Sequence, residues 1–144
     1  MNVRVSSVLS VPLPVVWSLM RQSSTLVFIT KPIVTFAKAD NFPEEWEVGV
    51  PVQTNVVMFG IGAGAPYEFT FTDIDTKNHT MVTDECGAGI TRWQHIMEVE
   101  ALTDTTCRYT DRVVVTPKCL ARRVQWYYQY RHWRWRSLLR LHKT

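Results

Sequence analysis

Up to residue 116 most apolar positions alternate with polar ones, or come in short runs broken by Gly, Pro, Asn and Asp. That is the pattern of strands and turns. A spacing of three to four takes over at Leu13, Val16, Trp17 and Met20, and again from residue 117 to the end. The first alternation predicts a strand from Asn2 to Ser10. Pro12 and Pro14 then fall where the opening turn of a helix tolerates proline, and a second short helix follows over Ser24 to Ile29, stopped by Pro32. Beyond it the pattern predicts a strand through Val34, Phe36 and Ala39, a turn at Asn41-Phe42-Pro43, and strands over Glu45–Val50 and Val52–Phe59 parted by Pro51. Gly60 to Pro66 reads as a loop. Tyr67–Ile74 and His79–Cys86 read as a hairpin turning at Asp75-Thr76-Lys77-Asn78, and Thr91–Ala101 with Thr106–Thr116 as a second. After Pro117 neither proline nor glycine interrupts the chain, so roughly seven turns of helix are allowed.

One strand, two short helices, about six strands and a long helix fit neither βαβ alternation nor a helical bundle. The order predicts a single α+β domain over residues 1–144. In it a curved antiparallel sheet of about seven strands wraps the long C-terminal helix, with two short helices after strand 1, so that sheet and helix each bury one face.

Composition changes this picture little: 144 residues, 46% hydrophobic and 20% charged, are ordinary for a globular domain. Charge changes it more. The net +3 divides into eight Lys/Arg against thirteen Asp/Glu before residue 117 and eight against none after it. Either the basic helix lies on an acidic body, or it exposes a site for a polyanion or membrane surface. Arg122, Arg123, Arg131, Arg134, Arg136 and Arg140 are spread around most of the helix circumference, which argues against a nucleic-acid stripe. Leu120, Val124, Tyr127, Trp135 and Leu138 form the stripe expected to face the sheet, with Arg131 and Arg134 near its edges. Trp126, Tyr130 and Trp133 lie off that stripe and call for a second apolar partner, either the early helix Pro12–Gln22 or a neighbouring subunit in a homodimer.

Cys86, Cys107 and Cys119 are odd in number and widely spaced, which argues against a disulfide framework and a zinc site and fits reduced thiols in a cytoplasm. No signal peptide is expected, because Pro12 and Pro14 interrupt the early apolar segment, and no apolar run reaches membrane-spanning length. Gly60-x-Gly62-x-Gly64 lacks the strand–helix context of a dinucleotide fingerprint, and Pro66 follows it; it reads as a flexible loop at a cavity mouth. No metal-ligand cluster or cofactor motif is present, so neither metal nor cofactor is expected. His79, His132 and His142 read as turn and surface residues.

The last hairpin carries the candidate chemistry. Alternation turns Trp93, His95, Met97 and Val99 inward on one strand, and Cys107, Tyr109, Asp111, Val113 and Val115 on the next. A turn near Thr103 sets His95 opposite Asp111, Trp93 opposite Val113 and Met97 opposite Tyr109. An imidazole beside a carboxylate on an aromatic wall is suited to acid–base chemistry near neutrality. Against this stands the plainer reading of a structural pair, with Asp111 bonded to an arginine of the helix and His95 satisfied by backbone. Phe69 and Phe71 belong to the core or to a ligand wall. Whether Asp84 or Glu85 faces inward depends on a loop length that leaves both open.

Several segments resemble those of bacterial SRPBCC proteins, the superfamily of START domains, polyketide cyclase-like proteins and the birch-pollen-allergen group. These are Trp93-Gln94-His95, Tyr109-Thr110-Asp111-Arg112-Val113 and Tyr130-Arg131-His132-Trp133-Arg134, with Val11–Met20 similar to the family's first helix. Glu45-Trp46 and Phe59-Gly60 fall where similar members carry a Trp and a Phe-Gly pair. The resemblance implies a helix-grip fold with a cavity between sheet and helix, where many members bind lipids, sterols, polyketides or hormones and some act as cyclases or dehydratases. It implies binding of a small hydrophobic or aromatic molecule, with Trp46, Phe59, Phe69, Phe71, Trp93, His95, Met97, Tyr109, Asp111, Tyr127 and Arg131 as candidate ligand contacts. The alternatives are a cyclase- or dehydratase-type enzyme using His95 and Asp111, and an interaction module using the basic, aromatic helix.

Overall fold

The structure, a computed structural model, describes residues 2–116 and 118–142. Expectations for Pro117, Lys143 and Thr144, and for the side chains of Arg92, Lys118 and His142, lie outside the described residues. Strand β1 (Asn2–Leu9) leads into helices α1 (Leu13–Met20) and α2 (Ser23–Thr30). Strands β2 (Val34–Phe36), β3 (Val52–Met58), β4 (Ile61–Asp75), β5 (Thr80–Gly87), β6 (Ile90–Ala101) and β7 (Cys107–Thr116) follow, and α3 (Ala121–His142) closes the fold. The seven strands form one antiparallel sheet in the order β1-β7-β6-β5-β4-β3-β2. This is the expected α+β helix-grip arrangement, with the sheet curled around α3.

Alternation sets which face of each strand is buried. Trp93, His95, Met97 and Val99 point inward from β6, and Cys107, Tyr109, Asp111, Val113 and Val115 from β7. The register differs from expectation by two residues. The β6–β7 loop is closed by Leu102 and Thr106, and Ala101 pairs with Cys107, so His95 stands opposite Val113, Met97 opposite Asp111 and Trp93 opposite Val115. A shift of two keeps every side chain on its face and changes only its partner.

Four expected elements differ. The strand expected through Ala39 ends at Phe36, and Ala39–Asn41 forms a single 3-10 turn. Of the expected loop Gly60 to Pro66, all but Gly60 is strand. Phe59 and Gly60 take positive φ of 52° and 69° and make a two-residue turn, so Ile61 pairs at once with Met58. Pro66 is tolerated because its backbone faces the side where β5 has ended; its carbonyl there takes the Ala88 N–H. Glu45–Val50 forms only isolated bridges, Gln22 with Glu45 and Val48 with Phe71. Backbone bonds from Ser23 N to Glu44 O (3.0 Å) and Trp46 N to Arg21 O (2.9 Å) tie this segment to the α1–α2 corner instead. Lastly, of the off-stripe aromatics Tyr130 reaches the end of α2 rather than α1, and α3 packs on α2 there. Tyr130 donates its hydroxyl to the Lys31 carbonyl, and Arg134 lies 4.2 Å over the Phe28 ring while bonding the Phe28 carbonyl. Trp126 and Trp133 remain about half exposed, at 52% and 53%.

The inner face of α3 carries Ala121, Val124, Tyr128, Arg131, His132, Trp135, Leu138 and Leu139. Its apolar members fall into two groups. Ala121, Val124 and Tyr128 pack with Val3, Val5, Trp93, Val113 and Val115, whereas Trp135, Leu138 and Leu139 join the larger core of α1, β4, Met97 and Tyr109. Arg131 and His132 separate the two.

Candidate functional site

Between the concave face of the sheet and α3 lies a cavity of about 800 Å³. Its floor is aromatic: Trp46 stacks on Phe71 with ring centroids 5.0 Å apart and meets Phe69 edge-on at 5.3 Å. The bonds that fix residues 44–46 under the α1–α2 corner are what drive Trp46 into this position. Trp93, His95 and Met97 from β6, Tyr109 from β7, and Tyr127, Arg131 and Trp135 from α3 complete the wall. Phe59 lines the rim and is 59% exposed. Every residue expected to contact a ligand therefore lines the cavity, with one exception. Asp111 lies behind His95 and is 1% exposed.

Asp111 is the hub of a buried polar row. Its Oδ1 is 2.6 Å from His95 Nε2 and accepts the Tyr109 hydroxyl at 3.0 Å, while its Oδ2 is 2.8 Å from His132 Nε2. His132 Nδ1 in turn lies 2.8 Å from Ser7 Oγ on β1. His132 is thus a core residue, 2% exposed, and not the surface residue expected. Burial alone would push the Asp111 carboxyl up; the charges and hydrogen bonds of His95 and His132 outweigh it and hold the group well below the usual carboxylate range. An ionised carboxylate only accepts, so both imidazoles present Nε2–H to it. Burial, reinforced by Asp111, pushes the Tyr109 phenol well above its ordinary value and keeps it a donor. His95 and Asp111 do meet, but diagonally across the strand pair, and the bond leaves His95 Nδ1 as the nitrogen turned from the row.

That nitrogen is 3.9 Å from Glu85 Oε2. Glu85, not Asp84, faces the cavity, because the extra residue Thr72 shifts the β4–β5 register and Phe69 pairs with Glu85. Its carboxylate accepts the Tyr67 hydroxyl and the Thr83 hydroxyl, each at 2.6 Å. Burial and the neighbouring Glu85 charge push the Tyr67 phenol far above its ordinary value, so it too stays a donor. Sequence reasoning missed Tyr67, Thr83, Tyr128 and His132. The signal for the last two was their spacing of seven and three from Trp135, on the inner face of the helix. Among the described residues no group of three or more His, Cys, Asp and Glu is arranged to hold a metal, the three thiols are free, and no helix is long and apolar enough to cross a membrane.

No protein-family model and no curated protein matches the sequence. Solved structures match the fold. A Chromobacterium violaceum protein superposes with a TM-score of 0.75 at 11% identity, covering 96% of each chain. A START superfamily protein from Mycobacterium smegmatis gives 0.67 at 7% identity, covering 97% of each. Norcoclaurine synthase from Thalictrum flavum, in complex with dopamine and hydroxybenzaldehyde, gives 0.57 at 12% identity, covering 83% of this chain and 72% of that one. A curled seven-stranded sheet gripping a long C-terminal helix, shared along nearly the whole chain with a START protein, is the SRPBCC-type helix-grip fold.

Proposed function

We propose that this protein binds a small apolar or aromatic molecule in the cavity between the sheet and α3. The observation that carries this reading is the cavity itself: about 800 Å³ walled by Trp, Phe, Met and Tyr, with a few polar groups gathered at His95, Glu85 and Arg131. Ligand sites are typically of this size and make-up. An aromatic ligand burying about 200 Å² of apolar surface gains roughly 5 kcal/mol gross, from which the cost of association is subtracted. The complex of norcoclaurine synthase with two small aromatic molecules supports the reading by fold likeness alone. Native mass spectrometry of the purified protein, with Nile red titration of the delipidated form, tests it. Retained mass or saturable fluorescence is expected, and Met97→Trp, which fills the cavity, should reduce both. No binding in either assay would remove the reading.

A second reading, an enzyme of cyclase or dehydratase type, is favoured by one observation. His95 is held by Asp111 through Nε2 at 2.6 Å while Nδ1 is turned toward cavity-lining Glu85. A base oriented by a buried carboxylate, with its other nitrogen facing the substrate space, is an acid–base arrangement. Dopamine with hydroxybenzaldehyde is a first substrate pair to try. Product formation that His95→Gln abolishes while binding persists is the expected outcome; turnover that survives in His95→Gln would exclude His95 from the chemistry.

A further inference from the structure

Arg131 is 5% exposed and lines the cavity from the middle of α3. Its guanidinium carbon lies 4.7 Å from the centre of the Tyr128 ring and 5.7 Å from that of Tyr127. Among the described residues no carboxylate comes within ion-pair distance of it, and its Nε has no hydrogen-bond partner. The two acids closest to the site are engaged elsewhere: Asp111 with two imidazoles and the Tyr109 phenol, Glu85 with Tyr67 and Thr83. Ring faces offset part of the cost of burying a cation. They leave Nε without an acceptor, since the fork's side-chain hydrogen bond goes to the Tyr127 hydroxyl, and a buried cation with no carboxylate in contact is expensive. Arg122 and Arg123, both exposed, also line the cavity, so three arginines border a space whose described lining holds a single carboxylate, Glu85.

We propose that the ligand carries a carboxylate that seats on Arg131, with its apolar body against Trp93, Trp135 and Phe71. The inference rests on the apolar-cavity reading and narrows it to an organic acid. The guanidinium fork matches a carboxylate in bidentate geometry and in charge. Arg122 and Arg123 are exposed to solvent, so Arg131 is the one buried cation of the three, and the second negative charge of a phosphate seated on it beside Glu85 would be left uncompensated.

The test uses matched pairs: 2-naphthoic acid against methyl 2-naphthoate, and pyrenebutyric acid against its methyl ester, titrated at pH 7 by tryptophan quenching and calorimetry. The acid of each pair is expected to bind the wild type roughly tenfold to a hundredfold more tightly than its ester, the range of a charge-assisted hydrogen bond. Arg131→Met should remove that preference, bringing the acid-to-ester affinity ratio close to one, and Arg131→Lys, which keeps charge but loses the fork, should retain part of it. If the wild type binds ester and acid alike, or if the preference survives in Arg131→Met, the carboxylate inference is overturned and the apolar cavity stands. If no member of either series binds, both fall. Should Arg131→Met fail to fold, the acid-to-ester ratio in the wild type and in Arg131→Lys still decides.

Discussion

Asp111 and His132 join the last strand to the C-terminal helix through a 2.8 Å hydrogen bond between Oδ2 and Nε2. The other carboxylate oxygen holds His95 and Tyr109, so one buried group fixes helix, sheet and the candidate base together. Asp111→Asn offers an amide that can accept from one imidazole but not from both, leaving a buried donor unpaired. A loss of about 3–5 kcal/mol in urea unfolding is expected, as for breaking a buried charged network.

The same carboxylate gives a pH dependence. Its folded pKa lies below the unfolded value of about 3.9, so its contribution is complete above about pH 5 and is lost progressively as the pH falls below that. Wild-type stability should decline on acidification over that range. In Asp111→Asn that part of the decline should vanish, a difference visible in melting temperatures taken between about pH 6 and 3.

Tyr67 donates to a cavity-facing carboxylate that also takes the Thr83 hydroxyl. Tyr67→Phe removes one of the two donors and keeps the ring. Chemical denaturation should show a loss of about 1–3 kcal/mol, that of a hydrogen bond to a charged acceptor.

Phe59 occupies a positive-φ turn position normally filled by Asn, Asp or Gly. Phe59→Asn should relieve about 1 kcal/mol of backbone strain and raise the melting temperature, while stripping an aromatic ring from the cavity rim. Opposite shifts are expected in one variant: higher stability, weaker binding of an apolar probe.

On the outer face of α3, Arg134 and Trp133 should behave differently despite being neighbours. Arg134 packs over Phe28 and bonds its carbonyl, so Arg134→Ala should cost about 1–2 kcal/mol. Trp133 is 53% exposed, so Trp133→Lys should stay within about 0.5 kcal/mol of the wild type in thermal melts.

The burial faces of β6 and β7 were legible because the side-chain period is two and Trp93, Met97, Tyr109 and Val113 mark one face. Partners were not legible, since they depend on where the chain turns, and a loop centred one residue later moves every pairing by two. Glu85 was hidden for a related reason: the bulge at Thr72 leaves no mark in an alternating pattern. On α3, reading only apolar residues as inward misplaced His132 and left Arg131 at an edge, because a buried polar group follows from its partners and Asp111 lay in a distant strand. Gly60 to Pro66 misled in the opposite sense. Glycine and proline there serve a two-residue turn and a strand end rather than a loop.

The division of α3 into two apolar stretches by Arg131 and His132 gives the helix a weak half and a strong half. Ala121, Val124 and Tyr128 rest on the smaller cluster, while Trp135, Leu138 and Leu139 are anchored in the larger. Local opening follows the amount of apolar surface that holds a segment down. The first two turns of α3 should therefore exchange their amide hydrogens faster than the last three. Arg122, Arg123 and Val124, which line the cavity, lie on the faster stretch. On the binding reading, opening of that stretch would uncover the cavity past the N-terminal end of α3 while the polar row and the sheet stay in place.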